Sequence, residues 1–144
     1  MLSNEVFDKV YTIVKQAMKD LEITNKKGVS VPKWSTLKYA RSLHELEATS
    51  LPCLLMQQIG SNQIGDDLMR NVQNGIDSTF QVVVTSSVSY DEAYNIINDA
   101  GDIFIQLGYS LIYGITELNT ESPSLWRFVA RFNRVVGGQD TLSL

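Results

Sequence analysis

From Ser3 to about Leu21, apolar residues return every three or four positions: Val6, Val10, Ile13, Val14, Ala17, Met18 and Leu21, with Lys9, Lys15, Gln16 and Lys19 between them. That period gathers the apolar side chains on one stripe and predicts an amphipathic helix over 3–21. Asn25-Lys26-Lys27-Gly28 ends it, and Val29 to Pro32 reads as an extended connection, too short and too near a proline for more. Residues 33–48 fit two periods. Leu37, Ala40, Leu43 and His44 make a helical stripe, while Leu37, Tyr39, Arg41 and Leu43 alternate; the expectation adopted is a short helix. Leu51 to Ile59 is an apolar run that Pro52 admits as a strand entered from an edge and Gly60 closes.

Residues 61–77 are polar, carry Gly65 and an Asn74-Gly75 pair, and keep no period, so they read as a long loop between strands. A loop of that length is either a functional contact segment or a tolerated surface insertion. Thr79 to Ser86 then alternates, Phe80, Val82 and Val84 against Gln81, Val83 and Thr85, as a strand does. The next helix is signalled at both ends. Ser89 and Glu92 stand as a capping box, Val88 and Ala93 as a staple, and Gly108 as a left-handed cap. Its stripe is Ala93, Ile96, Ile97, Ala100, Phe104 and Leu107, with Asp91, Asn95, Asn98, Asp99 and Asp102 on the polar side. Tyr109 to Glu117 reads as a third strand, Asn119 to Ser124 as a turn, and Leu125 to Val136 as a fourth strand. In that last strand Trp126, Phe128, Ala130 and Phe132 share one face, and Arg127, Val129, Arg131 and Asn133 the other.

These elements predict an α+β fold, a largely antiparallel sheet of about four strands with two main helices packed on one face. If the strands flanking the capped helix are parallel neighbours, their connection is a crossover. A chain of 144 residues supports one core, so 1–144 is expected to be a single domain, with 51–137 as its strand-rich part. The start lacks a basic segment followed by an apolar one, and no run of about 18 apolar residues occurs, so the expectation is a soluble protein without a signal peptide.

Charge is unevenly distributed within a formal net of −4. Residues 1–48 hold eight Lys and Arg against six acids, whereas 49–120 hold only Arg70 against eight. That acidic segment either sits in water or meets a basic partner. The overall balance argues against a duplex-binding protein that works by neutralising phosphates. One cysteine and one histidine exclude an internal disulfide framework and every zinc site that needs two imidazoles. Cys53 and His44 form the single conceivable nucleophile and base pair, and a buried apolar cysteine beside a boundary histidine is the more ordinary reading. Asp66-Asp67 lacks the alternating acids and terminal Glu of a calcium loop, and Asp99 and Asp102 read as solvated carboxylates on a helix face. No glycine-rich phosphate loop is present. No catalytic activity, metal or cofactor is therefore expected. Arg127 and Arg131, both opposite the aromatic row, either meet a partner or pair with Glu117 or Glu121 next door.

The sequence Leu51-Pro52-Cys53-Leu54-Leu55-Met56 before a polar loop, Phe80 to Ser86, Asp91-Glu92-Ala93 opening a helix that ends Leu107-Gly108-Tyr109, and Leu125-Trp126-Arg127-Phe128 with Arg131-Phe132 resembles the tail terminator, or head–tail joining, proteins of tailed bacteriophages. The resemblance covers 51–138, about three-fifths of the chain, and rests largely on core patterning with Pro52, Gly108 and Arg127. It implies a virion structural protein at the head–tail junction, assembled in the host cytoplasm. Such a protein is a homo-oligomeric ring, commonly a hexamer, that caps the tail tube, stops its growth and docks the head. Its partners would be itself, the tail tube protein and head or neck connector proteins; no membrane is implied, and nucleic acid only as DNA passing through the ring. Charge and position in the chain make Asp66, Asp67, Arg70, Arg127 and Arg131 the expected interface residues. The alternatives are another neck component, such as a head-completion stopper, and a small monomeric α+β binding domain.

Overall fold

The structure is a computed structural model that describes residues 2–42, 51–64, 75–120, 122–137 and 142. Helix α1 spans Leu2–Asp20. Strands β1 (Glu22–Thr24) and β2 (Ser30–Pro32) pair antiparallel as a small ribbon, where the sequence predicted an extended connection. Asn25 makes the ribbon's turn: its side-chain oxygen accepts from the backbone N–H of Lys27 and of Val29, at 2.9 and 3.0 Å, and Gly28 takes φ +78°.

Strand β3 (Lys38–Ala40) replaces the expected short helix, and the rest of that prediction, including His44, lies outside the described residues. The period-two reading wins because the strand has a neighbour to bond: β3 pairs parallel with β4 (Cys53–Ile64), and Lys38 N donates to Pro52 O at 2.9 Å. Alternation then turns Tyr39 toward the main core and buries Ala40 on the other face.

Strand β5 (Gly75–Ser86), helix α2 (Tyr90–Gln106), β6 (Ser110–Leu118) and β7 (Trp126–Gly137) follow. The order across the sheet is β3-β4-β5-β7-β6, five strands where about four were expected, all antiparallel except β3 with β4. The loop expected over 61–77 is shorter than its composition suggests. The β4–β5 ladder runs out to Ile64↔Gly75, so strand occupies both ends of that stretch, and residues 65–74 lie outside the described residues. A backbone ladder needs no apolar pattern, which is why polar composition misreads it. Strands β5 and β6 are parallel but not neighbours, because β7 lies between them.

One large buried cluster joins Val6, Val10, Val14 and Met18 of α1, Ile96, Ile97, Ala100 and Phe104 of α2, and Leu54, Met56, Phe80, Val82, Val84, Phe128, Ala130 and Phe132 of the central strands. Phe80 is its hub, with ring centroids of Phe7, Phe104 and Tyr109 at 5.5, 5.4 and 5.7 Å. Rings at these separations gain beyond their buried area. A second, smaller cluster on the opposite side of the strands holds Ala40, Cys53, Leu55, Val83 and Val129.

Helix α2 is closed at both ends by local bonds. Glu92 N donates to Ser89 Oγ at 3.0 Å, the forward half of the capping box. The Glu92 carboxylate takes Ser86 Oγ instead of reaching back to Ser89 N. The staple does not form: Val88 stays exposed, and Tyr90 and Tyr94 stack on each other with both edges against Phe128. At the far end Gly108 sits at φ +90°, Gly108 N donates to Ile105 O and Tyr109 N to Phe104 O, both at 3.0 Å. That pair of bonds is a Schellman motif, completed by the Phe104–Tyr109 ring contact at 5.4 Å.

Candidate functional site

The face of the sheet that carries Arg127 and Arg131 is built by register. Gln57↔Gln81, Gln81↔Arg131 and Arg131↔Tyr113 set four side chains in one row across β4, β5, β7 and β6. Contacts run along the row: Gln81 Nε2 donates to Gln57 Oε1 at 3.4 Å, Arg131 Nε to Gln81 Oε1 at 2.9 Å, and the guanidinium carbon of Arg131 lies 5.6 Å from the Tyr113 ring centroid. Arg127 Nε donates to Thr85 Oγ1, its register partner, at 3.0 Å. A third pairing, Thr79↔Asn133, lets Asn133 Nδ2 donate to Thr79 Oγ1 at 2.8 Å, to Ser78 O at 3.3 Å and to Asp77 Oδ1.

These partners stand where the sequence allowed a pairing with Glu117. Glu117 registers with Phe128 and so falls on the other face from Arg127, and Glu121 lies outside the described residues. Among the described residues neither Arg127 nor Arg131 meets a carboxylate, so two guanidinium charges stand on this face oriented by neutral oxygens. Asp66, Asp67 and Arg70, the other expected interface residues, lie outside the described residues.

Strand β6 borders this face and ends the sheet. Its nine residues hold Leu111, Ile112, Tyr113 and Leu118, all exposed, a third of the twelve exposed large hydrophobic side chains among the described residues. It carries one charged side chain, Glu117, and neither Lys nor Pro. Register shifts at Leu111/Tyr113 and Tyr113/Thr116 break its ladder with β7 into short stretches. The other edge, β3, is three residues long, a length that offers little to a pairing strand.

The remaining sequence candidates separate. Cys53 is fully buried in the smaller cluster. Asp99 is not a solvated carboxylate: its Oδ2 accepts from Trp34 Nε1 at 2.9 Å and meets Lys33 Nζ at 2.8 Å, so the segment after β2 is pinned to α2. The spacing of 65 residues between Trp34 and Asp99 left no local signal of that contact. Arg134, unremarked in the sequence, reaches back from β7 to donate to Leu107 O at 2.5 Å, and α2 has no basic residue in its own last turn. Among the described residues no three His, Cys, Asp or Glu side chains gather as a metal site would require, and no helix is long and apolar enough to cross a membrane. The chain matches no known family by profile, and no curated protein matches it significantly in sequence.

Proposed function

We propose that this chain is the subunit of a homo-oligomeric ring, about six copies, that caps a phage tail tube, ends its growth and forms the joint to the head. The observation that carries this reading is the outer edge of β6, nine residues with four exposed large apolar side chains and, among the described residues, no strand beyond it, beside a face with two arginines that have no acidic partner among those residues either. An edge of that kind adds a strand from another chain, or from another copy, and unpaired guanidinium groups select an acidic surface for it. In this reading both helices cover one face of the sheet, and the opposite face turns toward partners. The acidic stretch 49–120 supplies the complementary charge on the adjoining copy, and Asp66, Asp67 and Arg70 contact the tube or neck. The protein acts by binding and needs no cofactor.

A stable ring calls for on the order of 1,000 Å² or more buried at each contact. The test is binding of the full chain to purified tail tubes, imaged by negative stain, with Arg131→Glu as the variant. Expected are capped tube ends with the native chain, and loss of capping by a variant whose thermal midpoint is unchanged. Equal capping by the variant removes Arg131 from the interface, and absence of capping by the native chain removes the terminator reading. A second reading, a monomeric domain for a small apolar ligand, is favoured by an open cleft of about 460 Å³ beside α1 whose lining includes Ile13, Ala17 and Leu142.

A further inference from the structure

Lys15 and Lys19 lie one turn apart on α1, and β3 brings Lys38 to the same place. With Ser35, Leu37 and Tyr39 they line an open cleft of about 430 Å³, and no acidic side chain stands in its wall among the described residues. The ammonium groups of Lys15 and Lys19 stand 5.6 and 5.9 Å from the centroid of the same Tyr39 ring. Like charges one turn apart on a helix repel, and a third makes the cleft more positive still, in a chain whose net charge is −4. No ion pair to any of the three occurs among the described residues. The Tyr39 hydroxyl is buried and has no hydrogen-bond partner among the described residues, a costly state for a donor. Burial, and then the neighbouring Tyr11, push that hydroxyl up to about 12, so it stays a neutral O–H at physiological pH.

We infer that this cleft is a binding site for a phosphate oxyanion, in which Lys15, Lys19 and Lys38 supply the charge and Ser35 a hydroxyl. The donor set selects the chemistry. Three lysines around one cleft suit a phosphate group, whose several oxygens and higher charge meet point-charge ammonium groups better than a single carboxylate does. The inference rests on these residues alone and is independent of the assembly reading.

The experiment is a titration of the full chain with inorganic pyrophosphate, followed residue by residue through backbone amide shifts, in about 50 mM salt where screening is moderate. Saturable shifts are expected at Lys15, Lys19 and 35–39, weakened about tenfold in Lys15→Gln/Lys19→Gln and again in Lys38→Gln. Acetate at equal ionic strength is expected to leave them unmoved. A short single-stranded DNA titrated in parallel identifies the source. Tighter binding on the same residues assigns the site to a phosphodiester backbone, and a response to pyrophosphate alone assigns it to a free phosphate ligand. The variant lysines are wholly or partly exposed, and an unchanged thermal midpoint verifies their fold. Absence of shifts, shifts scattered over the surface, an equal response to acetate, or full binding by the double variant overturns the site.

Discussion

Phe80 has no exposed surface and touches the rings of Phe7, Phe104 and Tyr109, so its loss would open a cavity at the junction of both helices and the sheet. Phe80→Ala is expected to cost about 3–5 kcal/mol, read as a drop in the denaturant midpoint. A loss below about 1 kcal/mol would mean that the neighbouring rings collapse into the space. Tyr39 gives a different test. Its folded-state value is raised from 10.0 to about 12, so the fold favours the protonated phenol. The stability linked to it is complete below about pH 10 and is lost as pH climbs toward 12. Tyr39→Phe is expected to flatten that part of the alkaline loss, and at neutral pH to leave stability equal or higher, since it deletes an unpartnered hydroxyl. An unchanged slope of stability between pH 10 and 12 would contradict the assignment. At this scale alternation along β5 and β7 sorts residues onto the two faces, because it is local, but it does not declare that Val83, Thr85 and Val129 are buried on the second face as well. Partners of Arg127 and Asp99 were not legible, because they come from residues 42 and 65 positions away, one by strand register and the other by packing of the segment after β2 on α2.

The elements with end signals were the legible ones. Helix α2 was bounded correctly because Ser89 and Gly108 act through bonds to residues within five positions. Ser89→Ala is expected to lower the thermal midpoint by an amount equivalent to about 1 kcal/mol, as loss of an N-cap does, with no change in oligomeric state. Stability equal to the native chain would show the helix start held by the Tyr90 and Tyr94 rings on Phe128 instead. Gly101, inside the same helix, has a packing reason that no pattern declares: a Cβ there would come within 3.1 Å of Phe132 Cζ. Strand β3 was missed because three residues carry too few positions to decide between two periods, and its proof is a parallel bond network to β4. The outer parts of β4 and β5 were missed for a related reason, since Ser61 to Gln63 pair through backbone whatever their side chains.

For the whole molecule the decisive feature is the asymmetry of its two sheet edges, one of three residues and one of nine with apolar side chains outward. Ile112→Lys/Leu118→Lys places charge along the long edge at two exposed positions, so it is expected to leave the monomer folded and to abolish assembly. Assembly unaffected by that pair would move the contact elsewhere. The edge position of β6 is a topological fact, created when β7 inserts between β5 and β6, and no periodicity encodes it. The most direct test of the central claim is the native mass of the full chain by light scattering across a range of concentrations. A mass of about six times the 16.1 kDa protomer, held on dilution, is the expected result. A mass of 16.1 kDa at every concentration would contradict the proposal that this chain assembles with itself.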